Sequence, residues 1–172
     1  MKKIIPIVIL TFLIGYFASC EKDDICVDGD TPLLIIGFYD AIDTTLFKSV
    51  PTFRIRALDN DSIFSSDTFT DRSNSSDSIF IPLRVDANNT RFTFITNSAD
   101  DAETEAETGD IDTLTFNYEP REAFASKACG FVGNYDNLSI TLPESDNNWI
   151  EDITIVQQTI ENSNTIHVKI FH

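Results

Sequence analysis

An all-β fold is what this sequence predicts: a single antiparallel β-sandwich, immunoglobulin-like in general architecture, with a closed barrel as the alternative. Three observations lead there. Short runs rich in Ile, Val, Phe and Thr recur behind breaks of Asp, Asn, Ser and Pro. Fourteen Phe residues suit a pleated sheet better than a helix. No segment sustains the 3.6-residue apolar period of an amphipathic helix.

The strands follow in order. Leu33–Tyr39 comes after Pro32 and is apolar on both faces, as a central strand would be. Thr52–Leu58 alternates, with Phe53, Ile55 and Ala57 on one face, and Asp59-Asn60-Asp61 ends it. Ser78–Val85 carries Pro82, the mark of an edge or bulge. Asn88-Asn89 then turns the chain into Thr90–Thr96, which predicts a hairpin between those two strands. Asp112–Tyr118, Glu122–Cys129, Asn137–Leu142, Ile150–Gln158 and Thr165–Phe171 complete nine strands, the last with Ile166, Val168 and Ile170 on one face. Two stretches, 65–78 and 97–110, read as long polar loops.

The amino-terminal segment carries a different signal. Lys2 and Lys3 precede an apolar run from Ile4 to Phe17 that is shorter than the roughly 20 residues a bilayer-crossing helix needs. It has the length of a signal-peptide core. Ala18 and Ser19 are small, and Cys20 follows at once, so the segment resembles a bacterial lipobox, although Phe17 stands where Leu is usual. The expected organisation is a lipoprotein signal peptide over 1–19, a lipidated tether over 20–30 and an all-β domain over 31–172. Each buried CH₂ of an acyl chain contributes about 0.8 kcal/mol, so two or three chains on Cys20 hold a protein firmly. Lys22-Asp23-Asp24 resembles the export signal of surface lipoproteins in the Bacteroidota. The expected location is therefore the outer membrane, lipid-anchored, with the domain on the outer face in preference to the periplasmic one.

Charge and cysteine content limit the partners. The net charge is −16, and removal of Lys2 and Lys3 with the leader makes it −18. Such a chain repels phosphate backbones, which argues against nucleic acid. With Cys20 taken by lipid, Cys26 and Cys129 remain as an even pair in an oxidising compartment and are expected to form a disulfide. The loop so closed spans about 100 residues, for which chain entropy gives about 4–5 kcal/mol as an upper figure.

Chemistry-bearing patterns are sparse. Acids alternate through Asp100–Asp112, and Asp101, Glu103, Glu105 and Asp110 are the calcium candidates. The spacing is not that of an EF-hand, and a solvated acidic loop is the plainer reading. No cofactor is expected. The two histidines, His167 and His172, do not form a zinc pattern and do not sit beside a nucleophile motif. Trp149 with Tyr39, Tyr118 or Tyr135 offers a conceivable sugar platform, against the commoner fate of packing inside. Four triplets, at Thr44, Ser62, Ser78 and Thr113, resemble the O-glycosylation signal of exported Bacteroidota proteins, an Asp followed by Ser or Thr and then a small or aliphatic residue.

Taken together, Cys20–Asp24, Cys26, Thr31–Ile35 with Phe38-Tyr39-Asp40, Asp112–Phe116 and Ala128-Cys129-Gly130-Phe131 are similar to an uncharacterised family of small Bacteroidota lipoproteins, a domain of unknown function. The resemblance implies an envelope location and supports pairing of Cys26 with Cys129; it brings no activity. The functional expectation is a non-enzymatic cell-envelope lipoprotein that binds or scaffolds an envelope protein or glycan. A surface carbohydrate-binding module and a glycoside-acting hydrolase with paired carboxylates are the alternatives.

Overall fold

The computed structural model describes residues 31–172. Among them lie nine strands and no helix: β1 Leu34–Tyr39, β2 Arg54–Ala57, β3 Ser62–Ile63, β4 Ser78–Ile81, β5 Asn89–Thr96, β6 Asp110–Ser126, β7 Gly130–Thr141, β8 Asp152–Ile155 and β9 Val168–Phe171. They form a four-stranded sheet in the order β4-β1-β9-β8 and a five-stranded sheet in the order β3-β2-β5-β6-β7. The predicted sandwich is thus the observed architecture, and neither sheet closes into a barrel. The larger compact unit comprises Asp30–Ala123 with Val132–His172; the described part of the other is Phe124–Phe131. The segments expected as leader and tether, 1–19 and 20–30, lie outside the described residues.

Alternation decides what each strand buries. β1 is the exception predicted from its two apolar faces: all six of its residues are buried, and it lies between β4 and β9. Phe53, just before β2, and Ile55 within it turn inward and are fully buried. Phe92 and Phe94 of β5, and Leu114, Phe116 and Tyr118 of β6, face the same core. Leu34, Ile36 and Phe38 of β1, Ile79 and Ile81 of β4, and Val168 and Ile170 of β9 meet them from the other sheet. Burying a side chain of this size contributes about 1.5–3 kcal/mol, so the facing sheets hold each other by area alone.

Three expectations need correction. Ser78–Val85 and Thr90–Thr96 do not form a hairpin, because β4 pairs with β1 in one sheet while β5 pairs with β2 and β6 in the other. Pro82 has no N–H for the ladder where β4 ends. The next backbone groups are taken by side chains instead: Tyr135 Oη donates to the Leu83 carbonyl at 2.8 Å, and the Arg84 N–H donates to Tyr118 Oη at 2.9 Å. Held this way, the chain crosses between sheets. The second correction is that Asp112–Tyr118 and the Glu122–Ser126 part of Glu122–Cys129 belong to one strand, the 17-residue β6, which runs through Pro120, while residues 127–129 form the turn after it. The third is that the sandwich is not wholly antiparallel, since β1 and β9 pair in parallel, with Ile36 opposite Val168 and Phe38 opposite Ile170.

His167 explains how that parallel seam begins. Its N–H donates to the Ile35 carbonyl at 3.0 Å, and its ring Nδ1 accepts the Ile35 N–H at 3.0 Å. The imidazole thus completes a backbone pair one residue before β9 starts. An Nδ1 that accepts must be unprotonated. Burial pushes the His167 pKa below the usual imidazole range, against a smaller upward pull from the Asn162 backbone. A second buried polar side chain, Asp112, ties β6 to the approach of β8 by accepting the Ile150 N–H at 2.9 Å. Burial raises its pKa despite the opposing hydrogen bonds from the Ile150 and Trp149 backbone.

The two buried groups have opposite pH signatures. His167 has a lowered folded pKa, so its contribution is present above about pH 6.5 and is lost as pH falls below that value. Melting temperature is expected to drop between pH 7.5 and 5, less steeply in His167→Gln; calorimetry across that range checks it, and equal slopes would refute the assignment. His172 is also held low by burial, against an upward pull from its hydrogen bond to the Lys48 backbone, so the comparison with the variant isolates His167. For Asp112 the raised folded pKa means that ionisation at neutral pH opposes folding. Asp112→Asn keeps an acceptor without the charge and is expected to match or exceed the parent in urea at pH 7. Asp112→Ala strands the Ile150 N–H and should cost about 1–3 kcal/mol.

Candidate functional site

A cleft of about 530 Å³ lies in the larger unit beside the short edge strand β3. One wall starts with Ala57 at the end of β2, passes through the turn at Asp59 and Asn60, and returns along Ser62, Ile63, Phe64 and Ser65. The turn is set by its side chains: Asn60 Oδ1 accepts the Ser62 N–H at 3.3 Å and the Ser62 hydroxyl at 2.7 Å, and Asp61 takes a left-handed φ of 50°. The opposite wall is the sheet-to-sheet crossing, Pro82-Leu83-Arg84, with Thr90 and Phe92 of β5 beneath.

That second wall is rigid because buried hydroxyls hold it. Tyr118 Oη also donates to the Arg84 carbonyl at 2.9 Å and lies 2.5 Å from the Thr90 hydroxyl. The Tyr118 and Tyr135 rings meet edge to face at 5.0 Å. Desolvation first, and then the neighbouring Tyr118, push the Tyr135 phenol up to about 12, so it remains a hydrogen-bond donor at any physiological pH. The rim is charged. Asp59 sits between two guanidinium groups, 3.6 Å from Arg84 and 3.1 Å from Arg91, and Arg84 also reaches Asp86 at 3.2 Å. Apolar walls under a polar rim suit an occupant with a greasy part and a hydrogen-bonding part. Asp59 is the one carboxylate among the lining residues, whereas a glycoside-cleaving pair needs two across the cleft.

A second cluster lies on the outer face of β2. Arg54 points away from the core, yet it is only 8% exposed. Its guanidinium makes a two-pronged pair with Asp71, at 3.0 and 2.7 Å, and a third bond to Glu107 at 3.1 Å. Arg72 bonds Asp100 with two nitrogens and Ser98 Oγ at 3.1 Å. Burial works to raise the Glu107 carboxyl, but the Ser98 hydroxyl, the Gly109 and Ala99 N–H groups and Arg54 outweigh it and hold its pKa down. The cluster joins the loop after β3 to the loop after β5. With every guanidinium nitrogen of Arg54 and Arg72 bonded, it reads as a fastening between loops.

The residues singled out from sequence are scattered. Cys20, Lys22, Asp23, Asp24 and Cys26 lie outside the described residues. Cys129 sits in the β6–β7 turn and is disulfide-bonded. The calcium candidates do not converge: Asp101 Oδ1 is occupied by the Glu103 and Thr104 N–H groups at 3.0 and 2.8 Å, Glu103 and Glu105 face solvent, and Asp110 accepts from Asn97 at 3.5 Å. Among the described residues no group of three or more His, Cys, Asp or Glu is arranged for a metal ion. Thr44 and Ser62 are exposed, while Ser78 and Thr113 are half-buried within strands. The aromatic rings form no platform: Tyr39, Tyr118 and Tyr135 are buried, and half-buried Trp149 donates its indole N–H to the Phe94 carbonyl at 3.2 Å.

Sequence reasoning missed both the cleft and the arginine cluster. One signal was present for the second: Arg54 and Arg56 alternate with core residues on a strand flanked by two acidic loops. For the cleft no signal existed, since its walls come from segments that meet only through the crossing.

Among known families, a model described as a family of unknown function, DUF6452, matches residues 52–172, well over half of the chain. No curated protein and no solved structure matches.

The arginine cluster generates a stability prediction. Arg54→Ala leaves Glu107 and Asp71 facing a vacated pocket and is expected to cost about 3 kcal/mol, the low end for a broken buried pair because Asp71 keeps some water contact. Arg54→Lys should restore little of it, since an ammonium cannot make the two-pronged bond. Urea denaturation measures both, and hydrogen exchange should quicken across residues 97–109 in the Ala variant.

Proposed function

The chain belongs to the family of unknown function DUF6452, and we propose that it serves as a non-enzymatic cell-envelope lipoprotein, a binding or scaffolding module for another envelope component. In this reading Cys20 carries the lipid, Lys22-Asp23-Asp24 sends the domain to the outer face of a Bacteroidota outer membrane, and Cys26 pairs with Cys129 to fasten the tether to the domain. The lipobox-like segment and the disulfide-bonded state of Cys129 support it.

The observation that carries the binding role is the cleft beside β3. Its crossing wall is fixed by Tyr118 and Tyr135, so the site is formed in advance and an occupant does not have to order it. Ile63, 45% exposed on β3, and Phe64 offer apolar surface. Arg84 and Asp59 at the rim supply charges of both signs. A two-residue edge strand also leaves ladder groups open for an added strand.

Photocrosslinking on native membranes tests this. A benzoylphenylalanine in place of Ile63 should give one discrete adduct that weakens in Arg84→Glu, whereas the same probe in place of Thr154, on β8, should give none. Equal yields at both positions, or no adduct at Ile63, would remove the binding role. Labelling with a radioactive fatty acid, expected in the parent and lost in Cys20→Ser, tests the anchor separately.

A further inference from the structure

We propose that the β6–β7 turn is a second membrane contact, with Phe124 and Phe131 seated in the interfacial layer of the same bilayer that receives the lipid on Cys20. The inference rests on the lipid-anchor reading above.

The turn itself supplies the first argument. Phe124 and Phe131 are 61% and 68% exposed, and their rings meet edge to face at 5.6 Å. They make one apolar patch instead of two isolated side chains. The backbone is shaped to present it: Lys127-Ala128-Cys129 link β6 to β7, and Gly130 adopts a φ of 73° with open space where a side chain would be. The Cys129 N–H closes the turn onto Ser126 Oγ at 3.0 Å.

Charge supplies the second. In a chain with 28 acids, the segment Phe-Ala-Ser-Lys-Ala-Cys-Gly-Phe, residues 124–131, has none. Its single ionisable side chain apart from the cysteine is Lys127, which is exposed. Two aromatic rings beside one long cation match the chemistry of an interface, where the rings enter the acyl boundary and the ammonium stays with the headgroup phosphates. The rest of the surface, strongly acidic, is repelled by those phosphates, so the turn is the favourable point of approach.

Reach supplies the third. Cys26 is six residues after Cys20, a span of at most about 20 Å fully extended. A disulfide places the two Cα atoms about 5.5–6 Å apart. With Cys26 bonded to Cys129, the turn cannot stray further than about 26 Å from the acylated residue. Its local concentration at the membrane is then high, and a weak interfacial preference suffices for occupancy.

The test uses the full-length lipoprotein purified from membranes and returned to phosphatidylethanolamine–phosphatidylglycerol vesicles, with or without brominated acyl chains. In Phe131→Trp, and separately in Phe124→Trp, the added emission should shift to the blue and lose more than half its intensity to bromine. Trp149 in the parent, held inside by its bond to the Phe94 carbonyl, should be unaffected. An intact mass showing lipid on Cys20 together with a water-like, unquenched new tryptophan would overturn the turn contact and leave the anchor standing. A blue-shifted tryptophan that bromine does not quench would mean that the rings bury against protein, a second copy included, and would also overturn it. A native mass without lipid, in a protein that does not associate with vesicles, would overturn both readings.

Discussion

Phe53 is the contact through which the two sheets recognise each other. Its ring lies 5.3 Å from Phe38 of β1, 5.4 Å from Phe94 of β5, 5.6 Å from Phe69 in the loop after β3, and 6.2 Å from Trp149 ahead of β8. All four are edge-to-face arrangements, which suit the opposed charges of ring face and ring edge. One side chain therefore sets the spacing of the sandwich and also draws in two connections. The same short segment binds its loop by backbone, since the Phe53 N–H donates to the Ser73 carbonyl at 2.8 Å and the Arg72 N–H returns to the Phe53 carbonyl at 2.9 Å. With Phe53 in place, Arg54 must point outward, and the arginine cluster assembles where those loops cross over it.

Away from the sheets, buried side chains stand in for missing backbone partners. His167 accepts where a strand carbonyl would, Asp112 accepts the Ile150 N–H, and Tyr118 and Tyr135 hold the crossing after Pro82. Each solves the same problem, a backbone group removed from water outside a ladder, whose neglect costs a large part of a hydrogen bond. The sites differ in chemistry because the needs differ. The Leu83 and Arg84 carbonyls call for phenols that stay protonated, and the N–H groups call for acceptors: the His167 imidazole for Ile35, the Asp112 carboxylate for Ile150 and the Tyr118 oxygen for Arg84. The cleft is a by-product of one such solution: the tyrosines keep the crossing apart from β3, and the gap remains.

The acid excess has an internal use as well as a solvating one. The segment 97–110 is no plain solvated loop. Glu107 turns into the protein to meet Arg54, Asp100 meets Arg72, and Asp101 caps its own turn, while Glu103 and Glu105 remain in water. Acids next to one another in sequence thus divide into fasteners and solvating groups according to whether an arginine from a distant strand lies within reach.

What the sequence determined by itself was the strand content and the inward faces, because alternation is local: Phe53 and Ile55, or Val168 and Ile170, sit two residues apart and must share a side of the pleat. The fully apolar β1 announced its central place in the same way. Only the tertiary structure decided which strands are partners. The β4–β5 hairpin looked sound from spacing, yet Pro82 and two tyrosines, 36 and 53 residues further along, turned it into a crossing. The parallel β1–β9 seam, the arginine cluster and the cleft depend in the same way on residues far apart in sequence. Their positions relative to one another are set by packing that involves the whole sandwich, and no local pattern encodes it.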